Sequence, residues 1–185
     1  MSHKPKCIIV TGRPGAGKTT LSKELSRLLC MPIISRDEIK EGYVNTFGIK
    51  HDQLPSNTNG IATETFFEVA EQLLKCKVSI IVEAAFPHKI WEYKMNTWKE
   101  ISKIKIIICT IDDKIAANRH LQRGLNDPNR VFYHGDKRVS YYQETGIISP
   151  PDNYDIPKFD VPTISVITLD DYSPKLEELK EMLNS

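Results

Sequence analysis

Gly12-Arg-Pro-Gly-Ala-Gly-Lys18-Thr19 has the spacing G-x-x-x-x-G-K-[ST]. That spacing suits one task, the gripping of phosphate. The glycines let the backbone bend so that its N–H groups can face phosphate oxygens. A helix starting at the loop adds partial positive charge at its N-terminus. Lys18 can neutralise the β- and γ-phosphates of a nucleotide, and the Thr19 hydroxyl can ligate Mg²⁺. The loop's contact residues are expected to be Gly12, Arg13, Pro14, Gly15, Ala16, Gly17, Lys18, Thr19 and Thr20.

Ligands of open parallel sheets bind where the strands end, so the charged residues just after each apolar run are the next candidates. Arg36, Asp37 and Glu38 follow the second run. Glu83 ends the third, before Ala84 and Ala85. Arg119, His120 and Arg123 sit on the helix after the fourth, with Arg119 and Arg123 on one face. Carboxylates can hold Mg²⁺ or orient a hydroxyl, and cations can stabilise a transferring phosphoryl group. Plainer readings compete. Glu38 reads as the acid of a capping box with Ser35, and Asp37 could be favoured by the helix dipole alone. Glu83 could be a solvated strand end, and either arginine could lie on a solvated face. His120 reads as a surface or packing residue, and Asp112, Asp113, Asp170 and Asp171 as caps and turns. The histidines and cysteines show no zinc-ligand spacing.

The elements that must position these residues alternate. Buried strands are predicted at Cys7–Thr11, Pro32–Ile34, Val78–Val82, Ile104–Ile111 and Thr163–Leu169. Helices are predicted at Lys18–Cys30, from Ser35 onward, at Asn59–Lys75, at Pro87–Glu100 and from Asp112 or Asp113 to Arg123. A last helix opens with Ser173 as N-cap and Pro174 in its first position. Residues 47–58 read as polar and irregular. The alternation predicts an α/β fold, a parallel sheet with helices on both faces. Residues 124–160 do not fit the pattern: they are rich in Gly, Pro and aromatics, with one short helix expected around Lys137–Gln143. A connection of this length in a compact domain reads as a lid or binding loop.

The chain has 185 residues, which predicts a single domain, 1–185. The formal net charge of +1 argues against binding nucleic acid through bulk charge alone. It conceals an asymmetry: residues 1–150 carry 22 Lys/Arg against 16 Asp/Glu, and residues 151–185 carry 3 against 8. Anionic ligands should therefore bind in the first 150 residues. Cys7, Cys30, Cys76 and Cys109 form no C-x-x-C pair and read as buried free thiols of a reducing compartment. No apolar run is long enough to span a membrane, and the N-terminal run Cys7–Val10 is too short for a signal peptide. A cytoplasmic protein is expected.

A GTPase would carry Asn-Lys-x-Asp where this chain has Thr110-Ile-Asp-Asp113. Motor and oligomeric ATPases usually need a longer chain. Gly12–Thr20, Ile34-Ser-Arg-Asp-Glu-Ile-Lys40, Ile81-Val-Glu-Ala-Ala-Phe86 and Arg119-His-Leu-Gln-Arg-Gly124 together resemble a group of P-loop kinases. That group includes polynucleotide 5′-hydroxyl kinases, chloramphenicol phosphotransferases and zeta toxins. The resemblance covers about residues 6–124 in register.

It implies a three-layer αβα P-loop NTPase fold with a five-stranded parallel sheet ordered 2-3-1-4-5. It implies Asp37 as the base for an acceptor hydroxyl, with Arg36 and Lys40 beside an acceptor phosphate. Arg123 and Arg119 correspond to lid arginines that clamp the transferring group. Glu83 stands where the group more often has Asp, at a Mg²⁺ position shared with Thr19. The expected function is transfer of the γ-phosphoryl group of ATP to a hydroxyl of a small molecule. A 5′-hydroxyl kinase of nucleic acid, a nucleotide-sugar kinase and an ATP-binding regulatory module are the alternatives.

Overall fold

In the computed structural model, the described residues are 4–127, 129–135, 137–150 and 153–185. The N-terminal tripeptide of the signal-peptide reading, and residues 128, 136, 151 and 152 of the expected lid, lie outside them. The elements run β1 (Lys6–Thr11), α1 (Lys18–Leu29), β2 (Ile33–Ser35), α2 (Arg36–Phe47), α3 (Thr58–Lys75), β3 (Ile80–Glu83), α4 (His88–Ile101), β4 (Lys103–Thr110), α5 (Asp113–Asn126), α6 (Asn129–His134), α7 (Arg138–Thr145), β5 (Thr163–Thr168), β6 (Tyr172–Ser173) and α8 (Leu176–Asn184). A short 3₁₀ turn, His51–Gln53, lies between α2 and α3.

The sheet order is β2-β3-β1-β4-β5-β6. The expected parallel order 2-3-1-4-5 is present, and β6 adds a short antiparallel strand on β5. That strand corrects the reading of Ser173 as a helix cap. Ser173 pairs with Ile167, and α8 starts at Leu176 behind Lys175, whose N–H donates to Glu178 Oε2 at 2.8 Å.

β1, β3 and β4 are apolar on both sides because both faces are covered, whereas β5, expected to be buried, alternates buried Ile164 and Val166 with exposed Thr163, Ser165 and Ile167, because one of its faces is open. Side chains alternate across a strand, so Cys7 and Ile9 face one core while Ile8 and Val10 face the other. β4 divides likewise, Ile106 and Ile108 on one side, Ile107 and Cys109 on the other. The first core packs against α3 and α4 through Phe66, Phe67, Trp91 and Trp98, and the second against α1 and α8 through Leu21, Leu25, Leu179 and Leu183. Phe66 is 0% exposed and meets Phe67, Phe86 and Trp91 edge-on at 5.3, 5.6 and 5.9 Å. Phe66→Ala should cost about 3–5 kcal/mol, since the surrounding rings cannot close the cavity. Urea unfolding should show a lower midpoint at unchanged slope.

The cysteines divide. Cys7 and Cys109 are buried, but Cys30 and Cys76 are exposed, because both sit at helix C-caps rather than inside apolar faces. Residues 124–160 hold two helices, α6 and α7, where one was expected. The end of that segment is fastened to the β3–α4 loop. Tyr154 donates to Phe86 O at 3.0 Å and shares a 2.7 Å hydrogen bond with Thr11 Oγ1, while Phe159 stacks on His88 at 4.4 Å. No helix among the described residues is long and apolar enough to cross a membrane.

Candidate active site

The phosphate loop joins β1 to α1 and needs its glycines for space. Gly12 has φ +140°, and a Cβ there would come within 2.5 Å of Cys109 O. Gly15 has φ +84°, and a Cβ there would collide with the Ala116 carbonyl of α5. α1 starts at Lys18 with no side-chain cap at Gly17, so its first-turn N–H groups remain available for an anion. Thr168, at the end of β5, braces the loop by donating from Oγ1 to Ala16 O at 2.8 Å. Arg13 leans outward and pairs with Asp113 at 2.7 Å. Thr20 is exposed and lines a pocket of ≈ 770 Å³ with Gly17 and Arg119. Pro14 borders a smaller hollow beside Arg13 and His120.

Lys18 is 7% exposed, and its Nζ donates to Arg13 O at 2.9 Å. Burial pulls its pKa down, while Glu83, Cys109 and Asp37 push it up and Arg123 opposes them. Parallel register sets Ser35, Glu83 and Val10 side by side. Glu83 is 5% exposed, and its Oε2 accepts from Ser35 Oγ at 3.0 Å and Thr19 Oγ1 at 3.4 Å. Burial raises its pKa, opposed mainly by Lys18. Glu83 is therefore no solvated strand end. Ser35 is no side-chain cap either: its hydroxyl turns back to Glu83, which leaves Glu38 on the surface 3.9 Å from Lys23.

These groups fit a nucleotide triphosphate with Mg²⁺. The glycine cradle, the uncapped helix and the buried Lys18 suit phosphate, and Thr19 and Glu83 offer the hard oxygen donors Mg²⁺ takes. Among the described residues no group of three or more His, Cys, Asp or Glu could hold a metal. A Mg²⁺ ion usually takes only one or two carboxylates, with the rest of its shell from phosphates and water.

α2 carries Asp37 at the same sheet edge. Its side chain is 60% exposed and lies 3.5 Å from Arg36 Nη1. Arg36 also donates from Nη2 to Asn59 Oδ1 at 3.0 Å and Asn59 O at 3.2 Å. Asp37 lines a cleft of ≈ 670 Å³ with residues of α5, α6 and α7. Its charge acts on Lys18 and Glu83 on one side and on Lys40 and His134 on the other.

Lys40 is 6% exposed and donates to His134 O at 3.5 Å. Burial lowers its pKa to about 8, Arg36 and Arg130 acting the same way, Asp37 and Glu41 against. Between about 8 and 10.5 the unfolded chain binds more protons at this position, so its contribution to stability rises with pH across that window. Below it, the buried charge is a constant cost. Lys40→Met should therefore melt above the native protein at pH 7, with the gap narrowing by about pH 9.5. Thermal scans of the ligand-free protein check this, and a gap that does not change with pH would contradict it.

The two helix arginines separate. The Arg123 side chain makes no hydrogen bond among the described residues, and it lies in the field of Arg130, Glu83 and Asp37 while burial lowers its pKa. Arg119 is bound elsewhere, donating to Thr168 O at 2.8 Å and Leu169 O at 2.9 Å. The shared-face expectation misses this because the two carbonyls come from the end of β5 and the residue after it, about 50 residues away in sequence. Asp112 caps α5 by accepting from Lys114 N and Ile115 N. His120 is buried on α5.

Ser35, Thr168, Tyr154 and Arg130 are site residues that the sequence reading did not single out. Thr168 ends a strand but carries no charge, so the search for charged residues after each strand passes over it. Tyr154 and Arg130 lie in the irregular segment, where no spacing points to a partner.

The strand order, the phosphate loop and the flanking helices together define a P-loop kinase fold. A family model described as "AAA domain" matches residues 7–139, and the chain belongs to that family. Among solved structures, a Chloroflexus aurantiacus protein provisionally described as a kinase is 21% identical at a TM-score of 0.75, covering 98% of this chain and 96% of that one. The APS kinase CysC of Mycobacterium tuberculosis, in complex with AMPPNP and APS, is 18% identical at 0.67, with 100% of both chains covered. A gluconokinase of Sinorhizobium meliloti is 14% identical at 0.57, covering 99% of this chain and 94% of that one. No curated protein matches the sequence.

Proposed function

We propose that the protein is an ATP-dependent phosphotransferase that moves the γ-phosphoryl group to a hydroxyl of a small-molecule acceptor. The observation that carries this is the position of Asp37, between the phosphate loop and the cleft of ≈ 670 Å³. A phosphotransferase has a direct use for a carboxylate there, as the base for an acceptor hydroxyl. An acceptor hydroxyl in the cleft would find in it a base with its charge exposed.

Each residue then has a task. Lys18 and Arg123 offset charge on the γ-phosphoryl oxygens. Asp37 orients the acceptor hydroxyl and takes its proton as the new O–P bond forms and the bond to the bridging oxygen of ADP breaks, its electron pair leaving with ADP. Arg36 and Lys40 border the acceptor. Thr19 and Glu83 would hold Mg²⁺, with Ser35 orienting the Glu83 carboxylate. When bound, that ion would supply neutralisation of the phosphate charge. Arg119, fixed to the β5 end, flanks the nucleotide in the ≈ 770 Å³ pocket rather than the transferring group. Closure of α6 and α7 over the cleft would exclude water. The free thiols suit a reducing cytoplasm.

ADP formation measured across nucleosides, sugars, antibiotics and 5′-hydroxyl oligonucleotides tests the proposal. One class should raise turnover sharply over the acceptor-free rate. A rate indifferent to every acceptor favours the regulatory module, and stimulation by the oligonucleotide alone favours the nucleic-acid kinase.

A further inference from the structure

The wall facing Asp37 is basic beyond what phosphoryl transfer needs. Arg130, His134, Lys137 and Arg138 line the cleft with His120, and Asp37 is the sole acid among its described lining residues. Lys40 lies buried behind, its Nζ on the His134 carbonyl. Some of this charge is answered within the fold: His134 Nε2 sits 2.8 Å from Glu41, and Arg36 is 3.5 Å from Asp37. The Arg130 side chain makes no hydrogen bond among the described residues, and its Nε–H is buried without a partner. Arg36 Nε and His51 Nδ1 are also buried without partners. These groups share one neighbourhood, since Arg36 and Arg130 both bear on Lys40, and Lys40 and Arg36 both bear on His51. Buried donors without acceptors are costly, and clustered cations more so, unless an anion completes them.

We infer that the acceptor carries an oxyanion of its own, a phosphate or carboxylate, and that Arg130 of α6 holds it. This rests on the reading of the cleft as the acceptor site and narrows the acceptor to a small anionic hydroxyl compound. Arg130 is then a specificity residue on the far side of Asp37 from the phosphate loop. The guanidinium suits the role, because its planar fork matches an oxyanion with two parallel hydrogen bonds.

The test fills the loop first, so that it cannot itself bind the probe. Inorganic phosphate is titrated into the full chain saturated with AMPPNP and Mg²⁺, and its binding is followed by calorimetry. Saturable binding is expected, weakened about 10-fold in Arg130→Gln and less in Arg130→Lys, with AMPPNP affinity changed by less than about 2-fold. No saturable binding, or equal binding in Arg130→Gln, overturns the inference. Paired acceptors extend the test: ribose against ribose 5-phosphate, glycerol against glycerol 3-phosphate, and a 5′-hydroxyl dinucleotide. Preference for the phosphorylated sugar or glycerol supports a small anionic acceptor. Preference for the neutral partners, or for the dinucleotide alone, overturns it and leaves the phosphotransferase reading standing. Failure to bind AMPPNP removes that reading itself.

Discussion

Lys18→Met should lower phosphoryl transfer by about 10²–10³-fold or more, the loss that follows removal of one preorganised charge. Lys18 is 7% exposed and reaches across the loop to the Arg13 carbonyl, so its ammonium is already fixed where phosphate must sit. Burial works against that charge, and Glu83 is the strongest of the groups that sustain it. A charge held in place before the ligand arrives needs no rearrangement during reaction. Methionine keeps the length and apolar stem of the side chain but supplies no charge. Initial rates with ATP and an active acceptor measure the effect, and the urea midpoint reports whether the fold persists. A variant folded normally and within about 3-fold of the native rate would show that Lys18 is not part of the machinery.

Asp37→Asn should reduce transfer by about 10²–10⁴-fold, the range for loss of a positioned base. The exchange is nearly isosteric and the side chain is 60% exposed, so stability should hardly change. AMPPNP affinity should stay within about 2-fold if Asp37 serves the acceptor hydroxyl rather than the nucleotide. The informative pair of measurements is therefore kcat and nucleotide affinity on the same protein. Loss of both together would make Asp37 a structural residue of the nucleotide site. Retention of both would place the base elsewhere.

The contrast between what the residues disclosed and what they hid has physical causes. Local pattern revealed the parallel sheet, because strands covered on both faces must be apolar on both faces, as Ile8, Ile9 and Val10 are. The loop was equally legible, since its glycines and lysine answer to a ligand geometry contained within a few residues. Contacts between distant segments were not. Ser35 has the right type and spacing for a helix cap, yet Glu83 lies 48 residues on and takes its hydroxyl. Arg119 and Arg123 are one turn apart on a helix, yet the carbonyls of Thr168 and Leu169, about 50 residues on, capture only the first of them. Cys30 sits between Leu29 and Met31 and Cys76 between two lysines, and both end helices, where the chain returns to the surface. Arg130 had no signal at all, because its significance lies in partners it lacks.

The central claim is that the loop delivers phosphate across Asp37 to a hydroxyl in the cleft. The most direct test follows the label from [γ-³²P]ATP with an active acceptor, in the native protein and in Asp37→Asn. The label should appear in a phosphoester of the acceptor well ahead of free phosphate in the native protein, and Asp37→Asn should lose the phosphoester. Label found only as inorganic phosphate, at one rate with or without acceptor, would contradict it.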